Sequence, residues 1–175
     1  LRVLALGGIR SGKSAWAEAT IATLAGPDDA VRYVATGAPS TDEQWAARVA
    51  GHRERRPSHW TTVESADVAT QLNAAGSATL VDDMGGWLVA AMDRRGAWTG
   101  GSVRDDVDRL VDAVGAFSAP LVVVSPEVGL SVVPATESGQ LFADALGELN
   151  QRLAAVCDQV VLVIAGQALI VKESQ

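Results

Sequence analysis

The sequence predicts an α/β fold, with a mainly parallel central sheet, helices on both faces and an antiparallel strand at the C-terminal edge. Three observations predict it. Short apolar runs of strand length alternate with helical stretches along the whole chain, the pattern of linked βαβ units. The first run, Val3-Leu4-Ala5-Leu6, leads directly into Gly7-Gly8-Ile9-Arg10-Ser11-Gly12-Lys13-Ser14, which fits the phosphate-binding loop G-x-x-x-x-G-K-S/T. That loop requires a strand before it and a helix after it. The last two apolar runs, Gln159 to Ile164 and Ala168 to Val171, are joined by Ala165-Gly166-Gln167, which turns the chain back as a hairpin. Residues 1–175 read as a single P-loop kinase or nucleotide-hydrolase domain.

The elements follow in order. After the first strand, glycines let the loop backbone approach a ligand closely, and successive N–H groups form an anion nest at a helix N-terminus. Lys13 would place its charge on the β- and γ-phosphates, and Ser14 its hydroxyl on Mg²⁺. Helix one runs from Lys13 to about Leu24, with Trp16, Ala17, Ile21 and Leu24 at helical spacing. Gly26-Pro27-Asp28-Asp29 turns the chain into a strand from Val31 to Thr36. Loops after parallel strands face the ligand, so Ala35, Thr36 and Gly37 are candidates for the nucleotide side; an ordinary loop reads equally well.

A second helix starts at Thr41-Asp42-Glu43 and stops at Pro57. Arg48, His52 and Arg56 recur at i, i+4 and i+8 along the margin of its Trp45/Val49 face. Two readings stand for this stripe. Basic residues suit any helix C-terminus. Alternatively, arginines around a histidine keep the imidazole neutral and nucleophilic while attracting phosphate. His59 to Glu64 reads as a short strand whose last residue, Glu64, could reach a site. Helix three covers about Ala66 to Ala74. Ala78 to Asp83 is an apolar strand ending in acid, the form of a segment that holds Mg²⁺ through water. Asp82 is favoured over Asp83 because it directly follows Leu80-Val81.

Gly85-Gly86 reads as a loop leading into an apolar helix around Trp87. Asp93 to Gly101 is a polar surface excursion, and Val103 to Phe117 an amphipathic helix. Pro120 to Ser125 is the most hydrophobic strand and is expected at the centre. Pro126 to Pro134 forms an extended loop at the same rim, and Ser138 to Ala155 a long helix.

Composition limits the function. A net charge of −7 argues against a broad nucleic-acid surface, although a phosphate loop still holds a nucleotide by local dipoles. The single Cys157 cannot form an internal disulfide, which points to a reducing, cytoplasmic setting. No run is long enough for a membrane helix, and no signal peptide is visible. The chain opens at Leu1, so an initiator methionine and a few residues are expected before it.

Four ordered motifs carry a resemblance to one family. Gly7 to Ser14 resembles its GGxRSGKS loop, and Tyr33-Val34-Ala35-Thr36 its second strand. Ala47-Arg48-Val49-Ala50-Gly51-His52-Arg53-Glu54-Arg55-Arg56-Pro57 with Trp60, Thr62 and Glu64 is similar to its ARIxxHRxxRPxxWxTxE segment. Glu127-Val128-Gly129, Val132-Val133-Pro134, Phe142 and Asn150 to Ala154 are similar to its EVGxGIVP, F and NQxLA stretch. The family is the bifunctional adenosylcobinamide kinase / adenosylcobinamide-phosphate guanylyltransferase of cobalamin synthesis.

The resemblance implies two reactions. Adenosylcobinamide is phosphorylated by GTP or ATP. GMP then passes from GTP to adenosylcobinamide phosphate through a GMP–histidine intermediate, giving adenosylcobinamide-GDP and pyrophosphate. The matching histidine is His52. Lys13 is its catalytic companion at the phosphates, and Arg53, Glu54, Arg55 and Arg56 lie with Glu64 on the nucleotide side. Ser14 and Asp82 are the metal residues. The resemblance also implies a RecA-like fold and a homo-oligomer, a trimer, with sites near subunit boundaries; the apolar helix around Trp87 is the expected contact. His52 is expected to need a helix movement on GTP binding. The chain carries Asp83, Pro126, Ser131, Gln140 and Ala143 where the family pattern often has Cys, Asn, Gly, Arg and Arg. Other readings are a single-activity kinase or guanylyltransferase of the same fold, and a non-catalytic nucleotide-binding subunit.

Overall fold

A computed structural model describes residues 1–37 and 57–174. The strands are β1 (Arg2–Gly7), β2 (Val31–Ala35), β3 (Thr61–Glu64), β4 (Ala78–Asp82), β5 (Leu121–Pro126), β6 (Gln159–Ile164) and β7 (Gln167–Glu173). The helices are α1 (Lys13–Ala25), α2 (Val68–Ala74), α3 (Met84–Arg95), α4 (Arg104–Ala116) and α5 (Glu137–Val156), with a 3₁₀ turn at Ala97–Thr99. The helix expected from Thr41 to Arg56 lies outside the described residues.

The described strands form one seven-stranded sheet in the order β3-β2-β4-β5-β1-β6-β7. Every neighbouring pair is parallel except β6–β7. The mainly parallel sheet, its antiparallel C-terminal edge and the central place of β5 all match the sequence expectation. β5 lies between β1, which carries the phosphate loop, and β4, which ends in acid. This is a P-loop NTPase-like α/β arrangement.

Successive side chains on a strand point to opposite faces, so strands buried on both sides read as continuous apolar runs. β5 shows it: Leu121, Val122, Val123 and Val124 are all buried. Val122 and Val124 join Val3, Ala5, Tyr33 and Leu80 under α1, where Ala17 and Ile21 close that core. Leu121 and Val123 join Leu4, Val34 and Val81 on the other face, packed by Leu88, Leu110, Val114, Leu146, Leu149 and Leu153 from α3, α4 and α5. Each fully buried side chain of this size contributes roughly 1.5–3 kcal/mol.

Two expectations about α3 are corrected. Gly85 and Gly86 are not a loop but lie in the first turn of α3. Asp83 caps that turn, its Oδ1 accepting from the Gly86 N–H at 2.6 Å. A Cβ on Gly85 would stand 2.8 Å from Pro126 Cγ, and one on Gly86 would stand 3.2 Å from Gly37 Cα. The glycines therefore let a helix backbone settle against the ends of β5 and β2. Nor is Trp87 exposed. It is 3% accessible and packs in the core with Leu88 and Met92, so Trp87 itself offers no exposed apolar surface to another copy.

The excursion after α3 is pinned. Trp98 Nε1 donates to Asp93 Oδ1 at 2.6 Å, and Arg95 grips Asp106 of α4 at 2.6 and 3.1 Å. That guanidinium holds the Asp106 carboxyl below the usual carboxylate range. α5 is fixed at both ends. Thr136 Oγ1 accepts from the Gly139 N–H at 3.1 Å, while Lys172 of β7 donates to the Ala154 and Cys157 carbonyls, both at 2.7 Å. Among the described residues no helix is long and apolar enough to cross a membrane.

Candidate active site

The site begins where β1 runs out. Its last residue, Gly7, opens the phosphate loop, and Gly12 closes it at φ +91°, as the residue before α1. The N-cap of α1 is Gly12, which has no side chain to cap it. The amides of its first turn, which a helix leaves without intrahelical partners, are thus available to an anion. Within the loop Ser11 N–H donates to the Gly8 carbonyl at 3.2 Å, and Lys13 Nζ donates to the same carbonyl at 3.2 Å. The ammonium is already folded over the nest, on a neutral acceptor that phosphate oxygens would outcompete. Ser11 Oγ is buried and makes no hydrogen bond among the described residues. Ile9 stands out in solvent at 92% exposure.

Two distant segments brace the loop. The Glu127 N–H donates to the Gly7 carbonyl at 3.0 Å, and the Gly166 N–H donates to the Ser11 carbonyl at 2.8 Å. Gly166 sits in the β6–β7 turn, with φ +75° after Ala165 at φ +50°. The Ala165-Gly166 pair announced the hairpin, but nothing in the sequence announced that its turn would lie against the phosphate loop.

The acidic end of β4 reaches the same rim. Register aligns Glu64 of β3 with Ala35, Ala35 with Asp82, Asp82 with Val124, and Val124 with Ala5. In-register residues of parallel strands share a face, here the one covered by α1. Asp82 is two strands from β1, roughly 10 Å sideways at the backbone. Tyr33, buried on that face, donates its hydroxyl to Asp82 Oδ2 at 2.8 Å. Asp83 faces the other way, with its carboxylate engaged at the α3 cap.

Thr36 is 2% accessible. Its Oγ1 accepts from the Asp83 N–H at 2.9 Å and donates to the Asp83 carbonyl, and its own N–H donates to the Asp82 carbonyl at 2.9 Å. Gly37 approaches α3 through Gly86. Glu64 is exposed at the end of the edge strand. The structure thus gathers Gly7 to Ser14, Ala35 to Gly37, Glu64 and Asp82 along one rim of the sheet. His52, Arg53, Glu54, Arg55 and Arg56 lie outside the described residues.

Among the described residues no three His, Cys, Asp or Glu side chains gather to hold a metal by themselves. A nucleotide-borne Mg²⁺ needs less, since one hydroxyl and one carboxylate supplement phosphate and water. Ser14 and Asp82 have that chemistry, the first in the opening turn of α1 and the second at the end of a strand under the same helix.

The rim loop after β5 projects Leu130, Val132 and Val133 into solvent at 79, 91 and 73% exposure. Its start is held by Asn150 of α5, a polar residue within the buried stripe Leu146, Leu149, Asn150, Leu153. Asn150 Oδ1 accepts from Ser125 Oγ at 2.6 Å, and its Nδ2 donates to the Pro126 carbonyl at 3.0 Å. Sequence reasoning noted Asn150 only within a motif; a lone amide at a core position of a helix was the available signal. An open cleft of about 540 Å³ lies elsewhere, lined by Asp67, Trp87, Arg94, Arg95, Asp106 and Arg109. Its charges largely answer one another through Arg95–Asp106 and, at 3.6 Å, Arg109–Asp67. It includes no residue of the phosphate loop.

Comparisons with known proteins cover nearly the whole chain. The sequence profile of a family described as cobinamide kinase / cobinamide phosphate guanyltransferase matches residues 3–171. The bifunctional adenosylcobalamin biosynthesis protein CobU of Salmonella typhimurium LT2 is 34% identical, over 98% of this chain and 100% of its own. Its Escherichia coli K12 namesake is 32% identical with the same coverage. The bifunctional adenosylcobalamin biosynthesis protein CobP of Pseudomonas aeruginosa PAO1 is 36% identical over 98% of each chain. Among solved structures, the P4 protein from bacteriophage phi6 in complex with ADP aligns at TM-score 0.46 and 19% identity, over 95% of this chain and 52% of that one.

Proposed function

The chain belongs to the cobinamide kinase / cobinamide phosphate guanyltransferase family, and on that premise we propose how its residues divide the two reactions. It is a bifunctional kinase and guanylyltransferase of adenosylcobalamin biosynthesis. The observation that carries the assignment of residues is the uncapped N-terminus of α1 behind a loop closed by Lys13.

In the kinase step the loop amides from Gly7 to Ser14 and the Lys13 ammonium hold the β- and γ-phosphates of GTP or ATP. They stabilise charge where it develops as the alcohol oxygen of adenosylcobinamide bonds to the γ-phosphorus and the P–O bond to the β-phosphate breaks, releasing the nucleoside diphosphate and the alcohol proton. Mg²⁺ held by Ser14 and Asp82 would supply charge neutralisation across the phosphates. In the transferase step the neutral imidazole of His52 attacks the α-phosphorus of GTP. A P–N bond forms and the P–O bond to pyrophosphate breaks. An oxygen of adenosylcobinamide phosphate then attacks the same phosphorus, the P–N bond breaks, and His52 is restored with adenosylcobinamide-GDP as product. Two moderate displacements replace one difficult transfer. Arg53 and Arg56 supply positive charge toward the leaving pyrophosphate, while Glu54, Arg55, Glu64, Ala35 and Gly37 border the nucleotide. The enzyme is proposed to act as a homo-oligomer, a trimer by the family resemblance.

The test uses GTP labelled at the α-phosphate. The wild-type chain is expected to form an acid-labile, alkali-stable adduct that His52→Ala does not form, while His52→Ala still passes label from γ-labelled GTP to adenosylcobinamide. An adduct that persists in His52→Ala, or tight GTP binding with no adduct in the wild type, overturns the assignment.

A further inference from the structure

A carboxylate that meets a nucleotide-bound ion through water is useful only if its position is fixed, because the water shell adds a flexible link of its own. Asp82 ends a strand, where backbone freedom normally rises. Here that freedom is removed by β2 and its following residue, from two directions.

The backbone is held by Thr36. Three hydrogen bonds run between this one residue and the Asp82–Asp83 junction. They are its N–H to the Asp82 carbonyl at 2.9 Å, the Asp83 N–H to its Oγ1 at 2.9 Å, and its Oγ1 to the Asp83 carbonyl. A threonine hydroxyl has a single proton to donate, and the Asp83 carbonyl takes it. At 2% exposure Thr36 is also shut away from solvent. The junction is gripped from its other side as well. Asp83 caps α3 through the Gly86 N–H at 2.6 Å, and the Trp87 N–H donates to the Asp83 carbonyl at 3.2 Å.

The side chain is held by Tyr33. Tyr33 precedes Ala35 by two residues on β2 and so shares the face of Asp82, with which Ala35 is in register. Its hydroxyl meets Oδ2 at 2.8 Å from a ring that is 3% accessible. A phenol anchored in the core and bonded to a carboxylate oxygen sets the carboxylate's rotation. Outer residues of this kind typically affect metal affinity 10–100-fold without touching the metal.

We propose that Thr36 and Tyr33 are positioning residues for the divalent ion that accompanies the nucleotide, Thr36 fixing where the Asp82 carboxylate leaves the backbone and Tyr33 fixing how it is turned. The proposal rests on the assignment of Asp82 to the metal made above. It moves Thr36 from the nucleotide's surroundings to the frame of the metal site.

The experiment measures binding rather than turnover. Mn²⁺ is titrated into the chain saturated with GDP, and free Mn²⁺ is counted by electron paramagnetic resonance. GDP binding in EDTA is measured alongside, by calorimetry. Tyr33→Phe removes one oxygen and keeps the packing; Thr36→Val removes the hydroxyl and keeps the shape; Thr36→Ser restores the hydroxyl. Tyr33→Phe and Thr36→Val are each expected to weaken Mn²⁺ binding about tenfold, with Thr36→Ser close to wild type and metal-free GDP binding unchanged in all three. Asp82→Asn is the control for the underlying assignment. If Asp82→Asn weakens Mn²⁺ but Tyr33→Phe and Thr36→Val do not, the positioning role is wrong and the assignment of Asp82 survives. If Asp82→Asn binds Mn²⁺ as the wild type does, the assignment falls and the proposal with it. If Thr36→Val and Tyr33→Phe lose metal-free GDP binding as severely as Mn²⁺ binding, their role is general folding and the proposal is overturned.

Discussion

At the scale of single residues, the glycines of the phosphate loop are not interchangeable: Gly7 and Gly12 are hemmed in by backbone, and Gly8 is not. Gly12 has φ +91°, and a Cβ there would stand 3.0 Å from the Cα of Gly166. A side chain meets both obstacles: left-handed backbone costs an L-residue roughly 1–2 kcal/mol, and the hairpin turn bracing the loop must retreat. Gly8 has open space around its Cα, with nothing within 4 Å of an added Cβ. Gly12→Ala is expected to lower the melting temperature and to weaken GTP binding at least tenfold by calorimetry, whereas Gly8→Ala melts close to the wild type. A Gly12→Ala chain that binds GTP normally would show that the turn at Gly166 yields freely. The glycines were legible as a motif; their unequal roles were not, because the obstacle to Gly12 comes from a residue 154 positions later.

At the scale of elements, the ends of strands and helices are joined by a few charged contacts. Arg2 opens β1 and reaches Asp158, just before β6, through its backbone N–H at 2.7 Å and its guanidinium at 2.7 and 3.2 Å. The same guanidinium donates to the Gly115 carbonyl near the end of α4. The Arg2 side chain, seconded by its backbone N–H, holds the Asp158 carboxyl down at about 2, against an ordinary 3.8. A carboxyl with a lowered folded-state pKa stabilises the fold above its unfolded pKa and loses that contribution as acid protonates it. The stability difference between the wild type and Asp158→Asn should therefore be constant above about pH 5 and shrink as pH falls from near 4 toward 2. Urea unfolding across that range checks it; a difference independent of pH would mean that the pair contributes nothing through its charge. Asp83 shows what sequence reading can and cannot do at this scale. An acid after an apolar strand was visible, and Asp82 was favoured for directly following Leu80-Val81, but the capping role of Asp83 was not. It follows from strand alternation and from where α3 begins: Asp82 stays on the α1 face, and Asp83 caps the next helix.

At the scale of the whole molecule, the sheet order brings the phosphate loop and the acid of β4 to one rim with β5 between them. The C-terminal hairpin, a mere edge in the sequence, closes the same rim through Gly166. Ile164 at the end of β6 and Leu169, Ile170 and Val171 of the edge strand β7 are exposed at 58, 62, 55 and 61%. A row of apolar side chains on an open edge is an association surface unless something covers it. With Trp87 buried, this edge replaces the α3 surface as the proposed contact between copies of the chain. Sedimentation is expected to give the mass of three chains for the wild type and a smaller species for Ile170→Lys; a wild-type monomer with both activities would refute the assembly. What the sequence determined by itself was the alternation of strands and helices, the phosphate loop and the order of four family motifs. Those signals are local, written in spacing and residue type within short windows. Only the tertiary structure decided that Thr36 turns to Asp83, that Gly85 and Gly86 belong to a helix, that Trp87 is core, and that Gly166 supports Ser11. Each of these is a contact between segments brought together by sheet order and register, which no window of sequence contains.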